Sequence, residues 1–301
     1  MVRLLKIMTL GVNTLLIFVG VVSVAAMVSG YLKADDRKKY LIKELVIGIP
    51  IIMLLFLFGP LILLSPIKPG FASLSSKKIT VYYPINWPDK GEELWENAQR
   101  AVKTVEDFYQ VPVKIKVLMA ATKLDSFRLT GNPLAGGTGS DLGVIVRYDK
   151  ANEGVITHEM SHIILPKMTG RSSHFFPRWF DEGLASYLGK MDYYRGVEGL
   201  RESLSDGFYK RDLSRWNGLR GKINWTVFDV RCCGHQIYGQ TYQMVKFLFD
   251  NYGEDKVYEL LLNSKKLSFE QAFEKTFGLT VDQYHQEFID FVKGSKVKYL
   301  L

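Results

Sequence analysis

Two histidines four residues apart, with a glutamate beside the first, have the spacing in this chain that is best suited to binding a metal ion and catalysing a reaction. They occur in the segment His158-Glu159-Met160-Ser161-His162. On a helix, side chains at positions i and i+4 lie one above the other, so the two imidazoles can hold one zinc ion. Glu159 can then act on a water at that ion as a general base. The pattern indicates metal-assisted hydrolysis and requires a third protein ligand.

The candidate for the third ligand is Glu182, on a second predicted helix. Pro177 suits the first turn of a helix, and apolar residues recur at helical spacing beyond residue 178. Nineteen residues separate His162 from Glu182, which is enough chain to leave one helix, turn and return on another. We therefore predict that Zn²⁺ is the cofactor, bound by three residues that leave a fourth position open. These ligands are His158, His162 and Glu182.

The segment Trp179-Phe180-Asp181-Glu182-Gly183-Leu184-Ala185-Ser186-Tyr187 follows the histidine motif. Together the two segments resemble the gluzincins, the zinc peptidases that include thermolysin and the aminopeptidase N family. The resemblance implies an α+β zincin-like catalytic domain, with a small sheet and then a mostly helical C-terminal half. It implies peptide-bond hydrolysis with Glu159 as the base. Ser186 departs from the thermolysin-like pattern, which has an aspartate there, and Asp181 is expected either to support the site or to be solvated.

A third block, from Tyr238 to Gly253, has the periodicity of an amphipathic helix that ends at a glycine. It resembles the aminopeptidase helix whose first tyrosine donates a hydrogen bond to the oxyanion of the reaction. The resemblance implies this catalytic role for Tyr238, with Tyr242, one turn later, as the alternative. A tyrosine that only packs in the core is the competing interpretation.

A glycine-rich stretch and, directly after it, the β-prone segment 142–148 both precede the histidine helix. In gluzincins an edge strand above the metal helix pairs with the extended substrate backbone. The resemblance therefore implies that segment 142–148 and the glycines before it form this edge strand and bind substrate, and an ordinary hairpin loop is an equally good interpretation. The candidates are Gly136, Gly137, Thr138 and Val144.

Local patterns predict the other elements of the domain. Period-two alternation predicts strands over residues 78–83 and 111–119, and helical periodicity predicts a helix over residues 92–109. Ser268 to Gln271 and Thr280 to Gln283 match capping boxes that open the last two helices.

Two charge-free apolar stretches, residues 7–32 and 45–67, each exceed the roughly 20 residues that cross the hydrocarbon of a membrane. We predict a two-helix transmembrane hairpin over residues 1–67, a linker over 68–76 and the metallopeptidase domain over 77–301. The positive-inside rule places the loop between the spans in the cytoplasm and the C-terminal domain outside the cell membrane. If the first stretch were a cleaved signal peptide, the domain would lie inside. The basic residues of the loop are Lys33, Arg37, Lys38, Lys39 and Lys43.

Composition narrows the class of partner. Of 301 residues, 47% are apolar, and no dense basic stripe interleaved with aromatics occurs, so we expect a peptide or protein substrate and a bilayer, and no nucleic acid. The adjacent Cys232 and Cys233 form no disulfide framework and lack the spacing of a zinc finger.

Two rival functions remain. One is a zinc-holding regulatory or interaction domain without hydrolytic activity, which would have no need of Glu159. The other is an intramembrane protease, but the apolar segment around His158 is too short to span a membrane. The Gly-x-Met-Glu-Asn segment typical of aminopeptidases is missing from the sequence, which favours an endopeptidase.

Overall fold

A computed structural model describes residues 29–59, 61–130, 136–171, 175–191 and 234–294. Most of the first predicted span, together with Cys232 and Cys233, lies outside the described residues, so the transmembrane hairpin as a whole stays a prediction.

The chain divides into two compact units. The first comprises Met1–Glu96 and Lys114–Ala151, and it contains one exposed apolar helix and a β-sheet. The second comprises Asn97–Val113 and Asn152–Leu301, and it contains the histidine helix and the helices that follow it.

Helix α1, Arg37–Phe58, is the one helix among the described residues that is long and apolar enough to cross a membrane. None of its residues is buried in the fold. The expected end of the span at residue 67 is wrong, because the helix begins within the basic loop, includes residue 45 and ends at Phe58. It ends there because Ile62 and Leu63 turn back and are buried in the core of the sheet.

Five strands form one mixed sheet in the order β1-β2-β3-β5-β4. Strands β2, β3 and β5 run parallel to one another, and β1 and β4 pair antiparallel at the two edges. The strands are β1 Phe71–Ser75, β2 Ile79–Pro84, β3 Ile115–Ala120, β4 Gly137–Ser140 and β5 Gly143–Arg147. This arrangement confirms the predicted small sheet, in a fold that mixes α-helices and β-strands, and it places the predicted strands within a few residues of their positions.

Strand β1 overturns the predicted linker over residues 68–76. Its five residues pair with β2, from Phe71 opposite Pro84 to Ser75 opposite Thr80. Phe71 also packs against the core of the sheet. The Pro, Gly and Ser residues of this segment suggested a linker, but composition alone does not reveal strand pairing, even with a partner as near in the chain as β2.

One buried cluster forms the core on one face of the sheet. It joins side chains from β3 and β5 to Leu129 and to the turn that follows α1. The cluster consists of Ile62, Leu63, Leu118, Ala120, Leu129 and Ile145.

The other helices of the described residues are mostly in the C-terminal half. The two predicted capping boxes are confirmed, since Ser268 and Gln271 cap each other, as do Thr280 and Gln283. The predicted glycine stop is also confirmed, because Gly253 has φ 82° and breaks α6. The helices are α2 Pro88–Tyr109, α3 Lys123–Thr130, α4 Glu153–Thr169, α5 Arg178–Leu188, α6 Gly234–Asn263, α7 Phe269–Phe277 and α8 Val281–Gly294.

Candidate metal centre

Helix α4 presents the two histidines on one face, as their spacing predicts. Asn152 caps its N-terminus by accepting a hydrogen bond from the Val155 backbone N–H at 3.0 Å. Gly170, at φ 68°, ends it. One turn apart between these caps, His158 and His162 bring their Nε2 atoms to 3.2 Å from each other.

Glu182 of α5 completes a triangle with the two imidazoles. Its Oε2 lies 3.2 Å from the Nε2 of His158 and 3.4 Å from the Nε2 of His162. Ligands about 2.0–2.1 Å from a tetrahedral zinc ion are about 3.3–3.4 Å from one another. The three atoms therefore have the mutual spacing of three corners of a zinc coordination tetrahedron.

One oxygen of the Glu182 carboxylate, Oε2, faces the two imidazoles but makes no hydrogen bond within the described part of the chain. Glu182 is 1% exposed, and its Oε2 is buried without a hydrogen-bond partner. A buried carboxylate oxygen is costly unless a cation or a donor compensates it. Two imidazole nitrogens and this oxygen form a donor set that suits zinc, so the residues fit the predicted cofactor.

The Nδ1 atom of each imidazole contacts a polar side chain of α5. The Nδ1 of His162 is 2.7 Å from Oδ1 of Asp181, and the Nδ1 of His158 is 3.3 Å from Oγ of Ser186. Such contacts orient a histidine and leave its other nitrogen for a metal. Asp181 is buried, so the expectation that it is solvated is wrong and the supporting role is the correct one.

Arg178 is a site residue that our sequence analysis missed. Its Nη1 donates to Oδ2 of Asp181 at 2.7 Å, and its Nη2 donates to Oε1 of Glu182. The signal was present in the sequence, because residues 178, 181 and 182 are spaced i, i+3 and i+4 on one helix. The guanidinium thus binds both the candidate ligand and the group that orients His162.

Electrostatic attraction between these buried side chains determines which of them are charged. Burial by itself lowers the pKa of His162, but the carboxylates of Asp181 and Glu182 outweigh burial and raise it to about 10. Burial alone would raise the pKa of Glu182, but the positive charges of Arg178 and then His162 lower that pKa well below its usual range. Glu182 is therefore ionised, as a ligand must be, and the metal-free site holds a proton on His162 where a metal ion would supply positive charge.

Three glycines let the helices of the site approach closely. A Cβ on Gly183 would lie 2.4 Å from the carbonyl oxygen of Thr241 in α6. Gly154 and Gly189 face each other, and a Cβ on either would lie within 2.6 Å of the carbonyl oxygen of the other. These contacts set how near α5 lies to α4 and α6, and hence how near Glu182 lies to the histidines.

Trp179 anchors α5 on its other side. It is buried and stacks on Tyr284 of α8, with ring centroids 6.0 Å apart and an interplanar angle of 23°. Phe269 of α7 meets its ring edge-on at 6.0 Å. Trp179 therefore ties the helix that carries Glu182 to the C-terminal helices.

The two candidate tyrosines lie in different surroundings. The ring of Tyr238 lies 6.5 Å from the ring of His158. The ring of Tyr242 is buried and packs 5.9 Å from that of Tyr187. Glu159 is half-buried on α4, next to His158. The structure thus brings Tyr238 to the centre together with the three candidate ligands.

The residues expected to bind substrate belong to the first unit. Gly137 and Thr138 lie on β4, an edge of the sheet, and the carbonyl of Gly136 accepts a hydrogen bond from the Arg147 N–H at 2.9 Å. Val144 is instead buried on β5, which pairs with β3 on one side and β4 on the other. The expectation that segment 142–148 is the edge is therefore wrong, as the continuous apolar run of β5 suits an interior strand.

Comparison with known proteins adds nothing to this geometry. No protein-family model matches the chain, and no curated protein matches it. The interpretation of the centre therefore depends on the atoms of His158, His162 and Glu182 and on the groups that hold them.

Proposed function

We propose that this chain is a membrane-anchored zinc peptidase of the gluzincin type. The observation that carries the proposal is the triangle formed by the Nε2 atoms of His158 and His162 and the Oε2 atom of Glu182, with sides of 3.2–3.4 Å. The buried Oε2, which has no hydrogen-bond partner in the described part of the chain, supports it further, since a cation held between the three atoms would compensate its charge. A zinc ion bound there would polarise a scissile carbonyl and lower the pKa of a water.

The residues of the chain have separate tasks in this proposal. Glu159 accepts a proton from the attacking water and passes it to the leaving amine. Tyr238 donates a hydrogen bond to the carbonyl oxygen as negative charge develops on it. Asp181 and Ser186 keep the imidazoles from turning, and Arg178 keeps the Glu182 carboxylate from rotating.

The exposed apolar helix α1 supports the membrane part of the proposal. With the basic loop before it in the cytoplasm, the rest of the chain lies outside the cell membrane. The substrate is a peptide or protein cut at an internal bond, since the sequence lacks the acidic segment with which aminopeptidases hold a free N-terminus.

The test compares two glutamate-to-glutamine variants of the same helix in the full chain. Glu159→Gln should abolish cleavage of an N-terminally blocked peptide library while about one zinc per chain remains bound. Glu153→Gln, a matched change at the exposed start of α4, should leave both unchanged.

Each result decides between functions. Unchanged cleavage in Glu159→Gln would show that Glu159 is not the base. Zinc without any cleavage in the native chain would identify the non-hydrolytic zinc domain instead. A native chain that binds no zinc, beside a His158→Ala/His162→Ala control, would overturn the metal centre.

A further inference from the structure

The apolar part of helix α1 is shorter than the hydrocarbon region of a membrane is thick. Its charge-free part runs from Leu45 to Phe58, about 14 residues, which at about 1.5 Å per residue gives about 21 Å. The hydrocarbon of a typical bilayer is about 30 Å thick. Glu44 and Lys43 lie at the N-terminal end of this part, whereas the chain stays free of charge to residue 67 at the other. The apolar sequence therefore continues beyond α1 only at its C-terminal end.

The sheet lies directly against that end of α1. Ile62 and Leu63, only a few residues after Phe58, are buried in the core of the sheet. Arg128 of α3 donates a hydrogen bond from Nη1 to the carbonyl oxygen of Phe58, the last residue of α1. Only three residues stand between Phe58 and Ile62, so a membrane around α1 would lie close to this side of the sheet.

Three exposed apolar side chains belong to segments that adjoin this junction. Leu124 is 73% exposed and lies one helical turn before Arg128, on the same face of α3. Ile67 is 66% exposed, and Ile85 is 67% exposed with its N–H bound to the carbonyl of Gly70 at 3.0 Å. We call Leu124, Ile67 and Ile85 the apolar rim. Within the described part of the chain these side chains are left exposed to water, whereas the boundary of a bilayer would accept them.

Two lysines contact the turn that follows α1. Lys68 lies with its Nζ 4.2 Å from the centroid of the Tyr82 ring, and Lys116 donates from Nζ to the carbonyl of Leu63 at 3.0 Å. Burial, and then the neighbouring cation of Lys116, lower the pKa of the Lys68 ammonium. An anionic group beside this pair would offset the repulsion, and lipid phosphates lie at the depth where apolar side chains enter the boundary of a bilayer.

We propose that the apolar rim and the Lys68–Lys116 pair form a membrane-contacting surface for a leaflet that contains anionic phospholipid. The first unit then lies on the bilayer rather than standing off it. The inference rests on α1 being inserted in a membrane, which belongs to the proposed function.

Nitroxide-lipid quenching of single fluorescent labels tests the contact in the full chain. The protein, with Cys232 and Cys233 changed to Ser, is reconstituted in phosphatidylcholine–phosphatidylglycerol nanodiscs and labelled at one introduced cysteine. Leu124→Cys and Ile85→Cys report the rim, and Leu54→Cys reports α1. Lys77→Cys, an exposed position in the turn between β1 and β2, is the control at the opposite end of those strands.

Shallow nitroxide lipids should quench the Leu124 and Ile85 labels at least about two-fold more than the Lys77 label. Quenching at Leu54 with none at the rim would overturn this inference and leave the anchor intact. No quenching at Leu54 would instead refute membrane insertion of α1, and the inference with it.

Lipid charge tests the two lysines. Removing phosphatidylglycerol should reduce quenching at Leu124, and the reduction should vanish in the Lys68→Gln/Lys116→Gln variant. If the variant responds to lipid charge as the parent does, the two lysines do not bind the phosphates.

Discussion

Arg178 holds one oxygen of the Glu182 carboxylate, and the other oxygen faces the two imidazoles of the candidate metal centre. The same guanidinium binds Asp181, which in turn holds His162. One arginine therefore fixes the directions of two of the three candidate ligands.

Replacing Arg178 with Gln should weaken zinc binding by about 10–100-fold, the range typical of groups that orient metal ligands. Competition with a chromophoric chelator measures the affinity. Arg100→Gln, which removes a surface ion pair with Glu153 in the same unit, is the matched control and should leave the affinity unchanged. Equal affinities in the two variants would mean that Arg178 does not position Glu182.

The two side chains that contact the imidazole Nδ1 atoms should differ in how much they contribute to zinc affinity. Asp181→Asn removes a charged acceptor 2.7 Å from His162, whereas Ser186→Ala removes a neutral hydroxyl 3.3 Å from His158. We expect Asp181→Asn to lower zinc affinity about tenfold more than Ser186→Ala does. The same chelator titration checks the order, and a larger loss in Ser186→Ala would contradict it.

The raised pKa of His162 predicts that both zinc affinity and the stability of the metal-free protein depend on pH. It is raised from 6.5 to about 10 in the metal-free protein, so zinc has to displace a proton at neutral pH. The stability from this proton is fully present below about pH 6.5 and is lost as pH rises towards about 10. Zinc affinity should rise over the same window, by up to about tenfold per pH unit. Calorimetry in buffers of different ionisation enthalpy should detect one released proton, and a flat affinity from pH 6.5 to 9 would contradict the assignment.

Gly183 offers a test of the helix packing. Gly183→Ala places a Cβ against the carbonyl of Thr241, so α5 and α6 must move apart, at a cost of about 1–3 kcal/mol in the free energy of unfolding. Zinc affinity should fall as well, because Glu182 is the adjacent residue. Gly136→Ala is the control, since its Cβ would meet Lys150 at an ordinary 3.4 Å. Thermal denaturation with and without zinc compares the two variants, and similar midpoints would count against the close packing.

Tyr238 and Tyr242 can be separated by their hydroxyl groups. Tyr238→Phe should lower kcat by about 10²-fold or more and leave zinc bound, as loss of an oxyanion donor does. Tyr242→Phe keeps the ring that packs on Tyr187 and should leave kcat near the native value. The reverse result in steady-state kinetics would assign the oxyanion to Tyr242.

The parts of the site that local spacing determines could be predicted from the sequence. His158, His162 and Glu182 come together because helical periodicity and a short connection leave few alternatives, and the capping boxes and the stop at Gly253 depend only on neighbouring residues. The edge strand could not be placed this way. Whether β4 or β5 is the edge depends on β3, which pairs with β5 from more than twenty residues away. The end of α1 was missed for the same reason, since Ile62 and Leu63 leave the apolar run to cover a sheet that follows them in the chain.

The burial of Ile62 and Leu63 also determines where the chain can be cut. A truncation at residue 70, in the segment that resembles a linker, would remove two core side chains and expose Leu118 and Ile145. A soluble fragment that keeps the sheet intact has to begin at or before residue 61. If α1 anchors the protein as proposed, a protease that sheds the domain with its sheet intact would have to cut within α1 or between Phe58 and Ile62, so the shed form would begin with apolar residues.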